Sequence, residues 1–342
     1  MRFNMKLMDL PTIKKELVRT TTTLQNGDVQ PRVPYRADLV RIHGNNKTEP
    51  NVTDTTKGCA GGCFGCYAAR SMGVLQNGIA FHKPTSQVVC TCVIQHDISV
   101  MVNKNKHLDW VRNGTLGDPS YDWDAAIKMA DAAGRMGVRN VIISKFWEVP
   151  TDEQLHSLAL SGAILHFSLI PGYEWAPHIE VGRRKDGNRV RDILSALLYY
   201  DKISRPKGLK YSDSVCIRIC SAKFDRNHPD PITAMTAELL DETQEYFFKF
   251  AKNYSLRVLE TPWKFEGNDP RNPYLVHEEM TPVISYTTGK PGRKKSAGML
   301  LSQEGFDKYK DWTTHVIACD TRCDVCPNQC GTVQKKPTHI LG

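Results

Sequence analysis

Eleven cysteines fall in this 342-residue chain, and seven of them stand in two tight groups. Cys59, Cys63 and Cys66 are spaced C-x3-C-x2-C in "GCAGGCFGCY". Cys319, Cys323, Cys326 and Cys330 are spaced C-x3-C-x2-C-x3-C in "CDTRCDVCPNQC". Thiolates are soft ligands suited to zinc and to iron–sulfur clusters. Three thiols within eight residues can take three corners of a cubic [4Fe–4S] cluster, and Gly58, Gly61, Gly62 and Gly65 let the backbone turn close to it. Such a cluster keeps one iron free of protein, an open site where a small molecule can chelate. A structural zinc wants a fourth ligand, and only His43 and His82 stand nearby, at awkward spacing. The second group carries its own fourth thiol, Cys330, and reads as a fully ligated centre, either a second [4Fe–4S] cluster or a structural zinc. The remaining cysteines, Cys90, Cys92, Cys216 and Cys220, sit in apolar segments and read as small buried hydrophobes.

The elements that must position these thiols form one repeating unit. Strands are expected at 37–44 ("ADLVRIHG"), 108–114 ("LDWVRNG"), 140–146 ("NVIISKF"), 164–172 ("ILHFSLIPG"), 214–221 ("SVCIRICS") and 256–263 ("LRVLETPW"). Between them lie helical stretches. The first is expected over 85–105, with Val89, Val93, His96 and Val100 on one face. Others start at the cap residue Asp122, near Thr151, through "RVRDILSALLYYDK" and from Asp230. Strand–helix alternation predicts an α/β fold with a parallel sheet. No G-x-G-x-x-G follows the first strand, so a dinucleotide site is unsupported and a barrel or part of one is the alternative. In parallel barrels chemistry gathers at the carboxyl ends of the strands, and the first cysteine group lies beyond the first strand.

C-x3-C-x2-C followed by an aromatic residue, here Tyr67, resembles the signature of the radical S-adenosylmethionine (SAM) superfamily. The βα array resembles that superfamily's partial (β/α)6 TIM-like barrel. The chain then divides into an N-terminal extension (1–36), the barrel (37–263) and a C-terminal extension (264–342) holding the four-cysteine auxiliary site. The resemblance implies an enzyme in which Cys59, Cys63 and Cys66 hold a [4Fe–4S] cluster. SAM binds its open iron, one electron cleaves SAM, and the radical formed takes a hydrogen atom from the substrate. It implies Tyr67 beside the adenine, and Gly117 and Asp118 in "TLGDP" in place of a Gly-Gly-Glu-like stretch near the methionine amino group. Asp118-Pro119 also reads as a plain turn entering a helix. It implies Ser168 near the ribose, with Arg218 and Ser221 analogous on the fifth strand. Arg218 could equally pair with an acid, and Glu260 on the sixth strand reads as a buried carboxylate or a rim cap. An external electron donor of the flavodoxin or ferredoxin type is implied as well.

Composition narrows the remainder. No apolar run reaches about 18 residues and the N-terminus lacks a leader-like core, so a cytoplasmic location without a membrane span is expected. The net charge is +8 and the pI about 8.9. Two basic stretches, "GRRKDGNRVRD" with Arg183 and Arg184 and "GKPGRKK" with Lys294 and Lys295, are expected near the barrel mouth. The first follows Tyr173 and Trp175, which could stack a base. RNA or DNA is therefore the favoured class of large substrate. A peptide is the alternative, and a non-catalytic metal protein that binds nucleic acid is the third reading. Oligomeric state is not readable from the sequence. Nor is the residue that would serve as hydrogen donor, for which Cys216, Cys220, Tyr173 and Lys145 are candidates.

Overall fold

The computed structural model describes residues 20–23, 29–32, 39–42, 51–60, 83–104, 110–169, 189–209, 211–261, 280–285, 296–301 and 316–318. A short antiparallel pair, β1 (Thr20–Thr23) with β2 (Val29–Arg32), comes first in the chain, and another, β11 (Met280–Ser285) with β12 (Ser296–Leu301), comes late in it. The principal sheet is built from β3 (Val52–Thr53), β6 (Trp110–Asn113), β7 (Arg139–Ser144), β8 (Ile164–Leu169), β9 (Val215–Ile219), β10 (Arg257–Glu260) and β13 (Val316–Ala318). Its order follows the chain, β3-β6-β7-β8-β9-β10-β13, and every neighbouring pair is parallel. Parallel neighbours need crossovers, and right-handed crossovers in unbroken sequence place the helices on one face. This is the topology of a partial (β/α) barrel with two open edges.

The helices are α1 (Thr91–Lys104), α2 (Trp123–Gly134), α3 (Asp152–Leu160), α4 (Arg189–Ser204) and α5 (Pro231–Asn253). Three helices start where the sequence predicts, and each start is capped. Asp122 accepts from Ala125 N, Thr151 and Gln154 form a capping box, and Asp230 accepts from Thr233 N. Each cap is worth about 1 kcal/mol.

Alternation along the strands sorts the two faces. Ile142, Leu165, Phe167, Val215, Ile217 and Val258 pack with helical Leu158, Leu197, Phe247 and Phe248 in one core. Val111 packs with Ile94 and Ile98 of α1 and Met129 of α2 in a second. The residues between them on the strands face the concave side. Trp110, Val141, Ile143 and Ile164 form a small apolar floor there, with Cys216 and Leu259 touching beside it.

The structure corrects three expectations. The strand beside β6 is Val52–Thr53; in the stretch expected as strand one, Leu39 makes only an isolated bridge to Val88. Helix α1 begins at Thr91, because Thr85–Ser86 (β5) instead pairs antiparallel with Thr56–Lys57 (β4). Its buried side is Ile94, Asp97 and Ile98, while His96 and Val100 are exposed. Asp97 explains the rotation: it takes both the Arg41 guanidinium, at 2.6 and 2.8 Å, and Ile42 N at 3.1 Å, tying α1 to the 39–42 segment. Finally, the sheet gains a seventh strand, Val316–Ala318, beyond the six expected.

Candidate functional site

The chain that delivers Cys59 is held by backbone contacts to the segment after β6. Arg112 N donates to Asn51 O at 2.8 Å, and Gly58 bridges Gly117, with Asp118 N donating to Gly58 O at 3.3 Å. Gly117 is demanded by this approach, since a Cβ there would overlap the Thr56 carbonyl. Its neighbour Asp54 supplies the other clamp. One carboxylate oxygen accepts the consecutive amides of Thr115, Leu116 and Gly117 at 2.6, 2.9 and 3.2 Å. Burial pushes the Asp54 carboxyl up to about 6, against the pull of those three amides and of Arg112.

Asp118 is buried, and its carboxylate is fully engaged. It accepts Ser120 N at 3.0 Å, Ser120 Oγ at 2.7 Å, Ser144 Oγ at 2.7 Å and Lys145 N at 2.8 Å. It thus caps the single turn Pro119–Tyr121 and joins the ends of β6 and β7. That turn presents Tyr121. Its hydroxyl accepts Ala60 N at 3.2 Å and lies 4.0 Å from the Cys59 sulfur. Burial, and then the thiol beside it, hold the Tyr121 phenol well above its ordinary range. Asp54, Asp118 and Tyr121 therefore place Cys59 through backbone and hydroxyl contacts.

Farther along the sheet, Ser168 and Arg218 stand directly opposite each other on β8 and β9. Beyond β9, Ser221 is buried, and Gln244 of α5 clips the adjacent Ala222, accepting its N–H at 2.8 Å and donating to its carbonyl at 2.9 Å. Cys220 N donates to Leu169 O, and the Cys220 sulfur lies 3.1 Å from Thr261 Oγ1, so the ends of β8, β9 and β10 are knitted together. The structure thus sets Cys59, Gly117, Asp118, Ser168, Arg218 and Ser221 at or near the carboxyl ends of strands of one sheet. Cys63, Cys66, Tyr67 and all four C-terminal cysteines lie outside the described residues, as do Tyr173, Trp175, Arg183, Arg184, Lys294 and Lys295. Cys319 directly follows Ala318, the last residue of β13. Of the four remaining cysteines, Cys90 and Cys216 are buried as expected, whereas Cys92 and Cys220 are only half-buried, and the Cys90 and Cys92 sulfurs lie 2.7 Å apart. Among the described residues no three His, Cys, Asp or Glu side chains group as a metal site.

No family model matches the chain, and no curated protein matches it in sequence. Solved structures do. The chain resembles spore photoproduct lyase in fold. A double mutant of that enzyme with bound AdoMet and dinucleoside spore photoproduct superposes with a TM-score of 0.51, at 14% identity over 81% of this chain and 78% of that one. The lyase complexed with dinucleoside spore photoproduct gives 0.51, at 13% identity over 81% and 78%. A single mutant gives 0.51 as well, at 13% over 83% and 79%. At this identity the likeness establishes the architecture, a parallel sheet interleaved with helices, and the overlap extends well beyond the sheet alone.

Sequence reading missed Asp54 and Tyr121, which hold the cysteine segment. It also missed His166, on β8, and Arg257, on β10, which face the concave side. The available signal was polarity inside strands that should be apolar throughout.

Proposed function

We propose that this chain is a radical SAM enzyme. The observation that carries the reading is the C-x3-C-x2-C motif, whose first cysteine, Cys59, stands beside the strand ends, in a fold like that of spore photoproduct lyase. The described part of the donor set fits such a group. Cys59 is half-buried, with its sulfur beside a phenol, on backbone fixed by Gly58 and Gly117. Cys59, Cys63 and Cys66 would hold a [4Fe–4S] cluster, which when bound supplies the electron for reductive cleavage of SAM.

The roles of the protein's own residues follow from their contacts. Asp54 fixes the 115–117 backbone, and Asp118 fixes the turn that follows. Because the Asp118 carboxylate already accepts four hydrogen bonds, three of them on Oδ1, the contact of this segment with SAM falls to its backbone near Gly117. Ser168, Arg218 and Ser221 line the expected path of the ribose and carboxylate, and Tyr67 the adenine. Cys319, Cys323, Cys326 and Cys330 hold a second centre, a [4Fe–4S] cluster or zinc. A flavodoxin or ferredoxin type protein supplies electrons, and the location is cytoplasmic.

For the substrate we favour a nucleic acid. The net charge of +8 and the basic stretches support this, as does the dinucleoside bound by the structural relative. A peptide substrate is the second reading, supported by no specific contact. The test is anaerobic reconstitution with iron and sulfide, reduction with dithionite, and quantification of 5′-deoxyadenosine. Wild type should form it, and the variant with Cys59, Cys63 and Cys66 all replaced by Ala should not. Equal formation in both would refute the assignment. A gel-shift series with RNA and DNA at rising salt then tests the substrate class, and no affinity at low salt would move it to a peptide.

A further inference from the structure

Three basic side chains point into the concave side of the sheet with buried nitrogens that find no acceptor among the described residues. His166 and Arg257 are fully buried, and Arg218 is half-buried. Both ring nitrogens of His166, all three guanidinium nitrogens of Arg257 and Nη1 of Arg218 are buried and make no hydrogen bond among the described residues. The register gathers them. Cys216 on β9 stands opposite His166 on β8 and opposite Arg257 on β10. Arg218 lies two residues farther along β9, between Ser168 and Leu259. With strands about 4.8 Å apart, the His166 and Arg257 backbones are about 10 Å apart, a gap that a long guanidinium arm spans.

Electrostatics agree with the geometry. Burial, and then the charges of Arg218, Arg257 and Arg112, hold the His166 imidazole well below its ordinary range, so it is neutral. Among the described residues, the charge of Asp213 favours the Arg257 guanidinium, but its carboxylate pairs with Arg139 at 3.4 Å, and Asp54 is held by three amides. Buried charges without partners are strongly disfavoured, and a guanidinium fork matches the oxygens of phosphate or carboxylate.

Building on the function proposed above, we propose that His166, Arg218 and Arg257 form an oxyanion subsite inside the barrel that receives a phosphate or carboxylate group of the substrate. The neutral imidazole donates one hydrogen bond, and the two guanidiniums supply the charge. Arg218, nearer the strand ends, is the side chain between this subsite and the expected SAM site.

The experiment is calorimetric titration of the full-length, reconstituted protein with inorganic phosphate and, separately, acetate at constant ionic strength. Saturable binding of one anion per chain is expected, weakened about tenfold or more in Arg257→Gln and in Arg218→Gln. Circular dichroism checks each variant's fold, and the two variants act independently, so loss of one leaves the other as the readout. Saturating SAM, which shares Arg218, should leave one anion bound per chain through Arg257; complete competition by SAM would assign the site to the SAM carboxylate and overturn the proposal. Absence of saturable binding, or equal affinity in wild type and folded variants, would overturn it too, leaving the donors to water. The variant lacking Cys59, Cys63 and Cys66 should bind phosphate as wild type does. Failure of SAM cleavage therefore refutes the enzyme assignment without touching this result.

Discussion

Replacing Gly117 by alanine puts one methyl group where two chain segments touch. The new Cβ would overlap the Thr56 carbonyl oxygen, lie 2.6 Å from the Thr56 carbonyl carbon and 3.3 Å from Gly58 N. Non-bonded carbons rest about 3.5–4.0 Å apart, so the segments must part by about 1 Å. The obstacles are main-chain atoms, which cannot rotate aside. Parting them stretches the Asp118 N to Gly58 O bond, already 3.3 Å, and the Gly117 N to Asp54 bond at 3.2 Å. Overpacking costs about 1–3 kcal/mol and each weakened bond about 1 kcal/mol, for an expected loss of about 3 kcal/mol. At about 2–4 °C per kcal/mol for a large domain, Tm should fall by about 6–12 °C. Cys59 is the next residue after Gly58, so iron retained after reconstitution should fall as well. Gly137→Ala is the control. It has φ of 72° but no atom within 4 Å of its new Cβ, so it should cost about 1 kcal/mol through the backbone alone and spare the iron. Melting followed by circular dichroism, with iron per chain, decides. If Gly117→Ala melts with wild type and holds full iron, the contact does not position Cys59.

Asp54→Asn should flatten a pH dependence. Because folding raises this carboxyl from 3.8 to about 6, its contribution to stability is fully present below about pH 3.8 and is lost as pH rises through about 6, a change of about 3 kcal/mol. The wild-type urea midpoint, relative to the Asn variant, should therefore drop between about pH 4 and 6 and level off above; a constant difference would refute it. Asp118→Ala removes four hydrogen bonds to a buried carboxylate and should cost about 3–5 kcal/mol in urea denaturation, and a loss under 1 kcal/mol would contradict the clamp. Tyr121→Phe should cost about 1 kcal/mol or less in stability yet lower iron retention measurably, because its hydroxyl contacts Cys59 and Ala60; unchanged iron would show that the phenol is a bystander.

Much of the sheet is legible because its strands are long enough to show their composition. β7 and β9 read as β-branched runs and β8 as an apolar one, and Asp122, Thr151 and Asp230 stand at the starts of their helices. The edge strand Val52–Thr53 is not legible. Two residues in "NVTDTT" cannot display a period, and only pairing with β6 makes them a strand. The face of α1 was misread because valines suggested one stripe while the Arg41–Asp97 pair buries another. Cys59 was legible from spacing, but Asp54 and Tyr121 act through neighbours brought together by folding, and one aspartate in a polar stretch carries no mark of that. Arg257 and Arg218 did carry one, a cation inside a strand; Arg218 was read singly and Arg257 was passed over, because register is invisible before the sheet is ordered.

The short pair of β4 and β5 bears on how this chain could change over time. Lys57 opposite Thr85 fastens the two ends of a twenty-seven-residue stretch (58–84) that contains all three first-group cysteines. With its ends fastened, that stretch is an insert on the barrel, and its length is decoupled from the register of every strand that follows. Doubling a closed loop costs only about 0.6 kcal/mol. Residues could be added or removed between Cys66 and Thr85 with the strand pairings, the Gly58–Gly117 contact and the basic interior all left in place, so the sequence that follows the first three cysteines can diverge while the sheet stays fixed.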